Sequence, residues 1–164
     1  MFLVFFFYAS QIVSIEANNL NSTFCMCEPT SQFDCSNACN NHQNYNFDSV
    51  DNILANYTYP YIIFLIAGTN QDSTNSMPIF DLSQFENLSI NVYISGSETF
   101  SDNQDSIILK EGKVGKNVCF FLANVNIHLE KGRYVFERLN LSQTSFTSTE
   151  NSETIWKQSY LISD

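Results

Sequence analysis

Basic residues are scarce: seven Lys and Arg stand against seventeen Asp and Glu, for a formal net charge of −10. None of the seven gathers into a cluster that could track phosphates, which argues against nucleic-acid binding and against attraction to an anionic membrane surface. Histidine is rarer still, with only His42 and His128, and no Gly-x-Ser-x-Gly elbow is present. A nucleophilic centre needs a nucleophile, a base and an orienting group, so its parts are missing. Glycine loops that cradle phosphate are absent as well. Past the opening residues no apolar stretch could span a membrane. The longest, Tyr61–Gly68, has the length of a buried strand. The carboxyl end, residues 159–164, carries neither an anchor nor a lipid-attachment signal, so release rather than retention is expected.

The chain opens on Phe2–Ala9, apolar without interruption and extended by Ile12 and Val13. That length suits the apolar core of a signal peptide and is short for ~30 Å of hydrocarbon. Cleavage after Ala17 would make 1–17 the signal peptide and Asn18 the first mature residue. The run lacks a preceding Lys or Arg, and Ile15 is bulky for the position it would hold; a buried first strand and an uncleaved anchor are the alternatives. Export leads to an extracellular or cell-surface location. Four Asn-x-Ser/Thr sequons, at Asn21, Asn56, Asn87 and Asn140, are then candidate glycosylation sites.

Four of the five cysteines crowd into residues 18–56, an Asn-rich zone poor in aliphatic side chains, spaced Cys25-x-Cys27-x7-Cys35-x3-Cys39. In an oxidising compartment this reads as a small disulfide module. Cys25 and Cys27 share one side of an extended segment, and Cys35 and Cys39 lie one turn apart if Ser36–Asn41 is helical. Two pairings remain open, 25–39 with 27–35 or 25–35 with 27–39. Zinc on four thiolates, with His42 nearby, is the alternative, although the spacing is not the usual pair of two-residue spacers. Residues 47–56 are the best candidate for a short helix.

From Tyr57 to the end, residues 57–164, the pattern is β. Strands are expected at Tyr61–Thr69, Leu88–Ser95, Ser106–Lys110, Val118–Leu122, Val125–Leu129, Arg133–Phe136 and Leu139–Ser142. Leu88, Ile90, Val92 and Ile94 alternate with polar residues, the period of a half-buried strand. All five glycines fall at the ends of these runs. A faint echo links Phe85-Glu-Asn-Leu-Ser-Ile90, Leu122-Ala-Asn-Val-Asn-Ile127 and Phe136-Glu-Arg-Leu-Asn-Leu141, each apolar-x-x-apolar-polar-apolar. Short strands turned by Asn, Ser and Gly suit a mainly β, right-handed parallel β-helix, short or truncated, with coils of roughly 20–30 residues that stack to make about four. An antiparallel β-sandwich is the alternative.

An apolar leader, a short cysteine module and Phe-x-Asn-Leu-x-Ile-type steps together resemble the polymorphic-membrane-protein-like, adhesin-like surface β-helix proteins of trichomonad protists. The likeness covers about residues 25–146. It implies adhesion or surface display, with an unknown protein or glycan surface ligand as partner, and brings no catalytic residues.

The remaining chemistry is thin. Cys119, in Val118-Cys-Phe-Phe-Leu122, is unpaired, and an apolar strand hides a thiol and raises its pKa; a core thiol is expected, or a bridge to a partner. His128 should face opposite to Val125, Ile127 and Leu129. Arg133 and Arg138 are the only arginines, with no acid pair marked out near them. Glu98, Asp102 and Asp105 gather in the loop 95–106 without the ligand spacing of a calcium site. No cofactor and no metal are expected. The leading expectation is a non-enzymatic contact protein. A carbohydrate-active β-helix enzyme, with acids and a basic residue converging in a groove, is the second. A fragment of a longer surface protein, with an apolar end around Ile155, Trp156, Tyr160, Leu161 and Ile162, is the third.

Overall fold

The computed structural model describes residues 22–29, 34–39, 42–69, 77–96, 104–148, 152–156 and 159–162; at 152, 155–156 and 159–162 the description is of the backbone. The apolar opening segment lies outside these residues. β-Branched and aromatic runs form strands where they were expected, as β3 (Tyr61–Ala67), β5 (Asn91–Gly96), β6 (Asp105–Lys110), β8 (Cys119–Ala123), β9 (Val125–Leu129), β10 (Gly132–Phe136) and β11 (Leu139–Ser142). Seven further strands were not among those expected: β1 (Thr23–Cys27), β2 (Asn44–Tyr45), β4 (Ile79–Asp81), β7 (Gly112–Lys113), β12 (Ser145–Ser148), β13 (Ser152–Trp156) and β14 (Ser159–Ile162).

These strands build three sheets, ordered β14-β11-β8-β5-β3-β1-β2, β12-β9-β6-β4 and β13-β10-β7. Every pairing among the described residues is parallel. The antiparallel sandwich is therefore not the architecture, since hairpin-connected neighbours would run oppositely. The chain visits the sheets in rotation, β8 to β9 to β10, then β11 to β12 to β13. Tyr61 pairs with Asn91, Val92 with Phe120, Phe120 with Leu139 and Leu139 with Ser159, so separations of 30 and 28 positions give way to 19 and 20.

The three sheets enclose one core. Ile62, Val92, Phe120 and Leu139 form one column in register across the large sheet, and Phe64, Ile94, Leu122 and Leu141 the next, all almost fully buried. Ring edges interlock across the core, Phe64–Phe80 at 5.1 Å and Phe120–Phe136 at 5.7 Å between sheets, and Phe85 of the Leu82–Phe85 3-10 helix with Phe120 at 5.0 Å. Burying each such side chain contributes ~1.5–3 kcal/mol, the main term opposing the chain entropy of so many non-local pairings.

Corners between sheets are tight. Asn124 alone joins β8 to β9, at φ 54, and one circuit on Gln143 takes φ 48 after β11. A Cβ on Gly96 would meet the Asn124 carbonyl oxygen at 2.1 Å, so the corners stack as closely as glycine allows. Asp105, expected in a solvated loop, instead begins β6 and is buried, where its carboxylate accepts from the Thr69 N–H at 3.1 Å and hydroxyl at 3.2 Å. Glu98 and Asp102 lie outside the described residues.

The cysteine segment joins this sheet across the 56/57 division: β1 pairs with β3 over five positions, from Thr23 with Ile63 to Cys27 with Ala67. Met26 faces the core, while Cys25 and Cys27 face the opposite side and bond to Cys39 and Cys35, at S–S 2.06 and 2.07 Å. The bridges hold helix α1 (Cys35–Ala38) over Leu65 and Ala67. The Asp34 carboxylate accepts from the Ser36 N–H at 2.9 Å and starts α1. A second helix, α2 (Val50–Ala55), follows a 3-10 turn at Phe47–Ser49 inside the stretch where a short helix was expected. Phe47, Val50 and Ile53 pack into the main core at the end of the large sheet that β1 and β2 form.

Candidate functional site

Where α2 meets that end, the surface opens into a cleft of about 400 Å³. Phe24 of β1, Tyr45 of β2, and Tyr57 and Tyr59 from the segment after α2 supply its ring faces, and Asn52, Asn56, Ser49 and Thr58 its polar groups. The rings contact in sequence: Phe24–Tyr45 at 5.3 Å, Phe24–Tyr57 at 6.1 Å and Tyr57–Tyr59 at 5.7 Å. Tyr59 is 46 % exposed, whereas the Tyr57 hydroxyl is buried without a hydrogen-bond partner among the described residues. Burial pushes the Tyr57 phenol well above its ordinary range, with Tyr61 and Tyr59 adding to the effect. Tyr57 is thus a neutral donor with an open valence beside a row of aromatic faces. Four rings flanked by amides and hydroxyls, with no charged side chain lining the cleft among the described residues, form a surface that suits a ligand with apolar C–H faces and many hydroxyls.

A second groove, of about 360 Å³, is acidic. Glu28, Asp48, Asp51 and Asp81 surround it with Lys110, over Met77 and Ile79. Among these acids, Asp81 accepts from the Ser83 N–H at 2.9 Å, and Asp51 from the Gln84 amide at 2.8 Å. Lys110 lies beside Asp81 in register on the neighbouring strand. On the outer face of the large sheet, Tyr93 and Phe121 stack face to face at 4.5 Å, both half-buried.

The sequence-predicted residues fall as follows. Cys25, Cys27, Cys35 and Cys39 are paired 25–39 and 27–35, which removes the thiolates a zinc site would need. Cys119 is buried, and its thiol is raised by that burial, against the nearby Arg138 charge and a 3.4 Å hydrogen bond from the Asn140 amide. His128 faces away from the core, its Nδ1 2.6 Å from the Thr147 hydroxyl. Arg133 meets Glu153 at 3.5 Å on the exposed face of the third sheet, remote in sequence and sheet from the acids of the groove. Asn56 and Asn87 are exposed, Asn140 is half-buried, and Asn21 lies outside the described residues. So do the side chains of Ile155, Trp156, Tyr160, Leu161 and Ile162. No helix among the described residues is long and apolar enough to cross a membrane.

Sequence reading missed the cleft, because its rings come from three segments that only the sheet register brings together. The signal available was Tyr57-Thr-Tyr59 directly after a short helix.

No family model matches the chain, and no match is found among curated proteins or among solved structures.

Proposed function

We propose that the chain is a secreted or cell-surface protein of adhesin-like type, a right-handed parallel β-helix that acts by contact with glycans and not by catalysis. Three parallel sheets visited in rotation support the β-helix, and right-handed crossovers are the rule for parallel connections. Two disulfide bonds near the amino end fit an oxidising compartment, as an exported chain would meet. The resemblance to trichomonad adhesin-like surface proteins points the same way. The observation that carries the glycan reading is the cleft of Phe24, Tyr45, Tyr57 and Tyr59 rimmed by Asn52 and Asn56. Pyranose rings would lay their C–H faces on the tyrosines and offer hydroxyls to the amides of Asn52 and Asn56. Screening the secreted protein on immobilised glycans tests this. Binding that falls roughly tenfold or more in Tyr59→Ala, about 1.4 kcal/mol, supports it. Binding to none of the glycans, or binding indifferent to Tyr59→Ala, sinks it.

The acidic groove favours a second reading, a carbohydrate-active enzyme with Asp48 and Glu28 as its acids near Lys110. Turnover of a polysaccharide panel that is lost in Asp48→Asn would establish that reading in place of the first.

A further inference from the structure

The cleft contains a residue that can be modified. Asn56 begins the sequon Asn56-Tyr57-Thr58, and its exposed amide lies on the rim beside Tyr57 and Tyr59. We propose that Asn56 carries an N-linked glycan whose first N-acetylhexosamine folds back onto Tyr57 and Tyr59, so that the chain's own sugar occupies the cleft and regulates it. This rests on the reading of the cleft as a glycan site.

The geometry supports attachment. Asn56 ends α2, exposed, and its Nδ2 donates to the Asn52 carbonyl oxygen at 2.9 Å. Transfer from a lipid-diphosphate-linked oligosaccharide, the co-reactant of the export compartment, forms the Nδ2–C1 bond. The C1–O bond to diphosphate breaks, the lipid diphosphate leaves with its electron pair, and one Nδ2 proton is lost to the transferase's base. The secondary amide so formed keeps one N–H, sufficient for the bond to Asn52. The sugar ring then starts one bond from a surface whose nearest faces are Tyr57, next in sequence, and Tyr59, 46 % exposed. Its C–H face covers apolar ring surface of Tyr57 and Tyr59, and its acetamido and hydroxyl groups face the polar rim of Asn52 and Thr58. Tethering makes this binding intramolecular, so even a weak contact is occupied.

The other described sequons differ. Asn87 is exposed at the turn after the Leu82–Phe85 3-10 helix and lines neither groove. Asn140 sits mid-strand with its amide on the Cys119 sulfur. Asn87 is therefore an internal control.

The test uses the full chain secreted from a eukaryotic host. Glycopeptide mass spectrometry reads occupancy at Asn56 and Asn87, and native endoglycosidase digestion reads the trimming rate at each. The expected result is occupancy at both, with Asn56 trimmed roughly tenfold more slowly, the protection given by a sugar seated about nine-tenths of the time. Denaturation or Tyr59→Ala should equalise the two rates. An unmodified Asn56, or equal trimming in the native protein, overturns the proposal. Binding of chitotriose to Asn56→Gln and to the glycosylated chain separates the two readings. Protection at Asn56 with no chitotriose binding by Asn56→Gln leaves the tethered sugar standing and removes the external glycan. Chitotriose binding that is equal in both proteins, without protection, does the reverse.

Discussion

Asn124 turns the chain from one sheet to the next in a single left-handed residue, φ 54, between Leu122 and Val125, which both face the core. Asparagine and glycine tolerate that region, and a β-branched side chain does not. Asn124→Gly should therefore leave stability within about 1 kcal/mol, while Asn124→Val should lower it by ~1–3 kcal/mol; urea unfolding of both distinguishes them. The echo in the sequence acquires its meaning here. In Leu122-Ala-Asn-Val125 and Phe136-Glu-Arg-Leu139 the two apolar residues are the last inward residue of one strand and the first of the next, with the corner between. Corner chemistry was legible, but its spacing varied because it marks different corners and not one repeated position. Tyr134 is a second informative residue. Fully buried, its hydroxyl donates toward the Leu109 carbonyl at 3.0 Å and the Glu130 carbonyl at 2.7 Å. Tyr134→Phe removes those bonds and should cost ~1–2 kcal/mol. Burial, with Glu130 and Glu111 nearby, raises this phenol above its ordinary 10.0, and burial raises the Cys119 thiol above 9.0. As pH climbs, the unfolded chain loses these protons first, so stability is full below about pH 9 and declines through the alkaline range. Tyr134→Phe should show a shallower alkaline decline than the parent; an identical slope would mean that the phenol is not protected by folding.

At the scale of elements, the cysteine segment carries the clearest lesson. Its composition suggested a module of its own, since Cys, Asn and Ser give no strand signal. Yet Thr23-Phe-Cys-Met-Cys27 is a strand with both faces buried, Met26 on the core and the two cysteines under α1. Sulfur took the place of aliphatic carbon, which is why hydrophobic patterning overlooked it. The spacing did allow the pairing found, while the choice between two pairings needed the fold. Because the bridges close 14 and 8 positions, chain entropy assigns them about 3 and about 2.5 kcal/mol. Cys25→Ser/Cys39→Ser and Cys27→Ser/Cys35→Ser should each lower the unfolding free energy measured in urea by an amount of that order. Because Cys25 and Cys27 share a strand over Leu65 and Ala67, each pair should also loosen α1, seen as faster amide exchange at Cys39, whose N–H bonds the Cys35 carbonyl at 2.8 Å. A loss confined to one pair would show that the other bridge is not formed.

Over the whole molecule, the pairings make a one-dimensional stack in which each strand is held by the strands before and after it in its sheet. Stability in such an array is a sum of nearest-neighbour terms, and it should be unevenly distributed. β5, β8 and β11 have hydrogen-bonded neighbours on both sides, as do β6 and β9, whereas β12, β13 and β14 bond on one side among the described residues. At the opposite end, α2 covers the core with Phe47, Val50 and Ile53, and the disulfides fasten β1 to α1. Opening should therefore begin at the β12–β14 face and reach the cleft last. Native-state hydrogen exchange should rank amide protection as β8 and β5 above β11, and β11 above β14, with β9 above β12 in the second sheet. The aromatic cleft then stands at the disulfide-fastened end of the stack, which suits a surface that binds without rearranging. Protection equal across all rungs would mean that the stack unfolds as one unit. Greatest protection at β12–β14 would invert the ordering and leave the disulfide-fastened end, with its cleft, as the part that opens first.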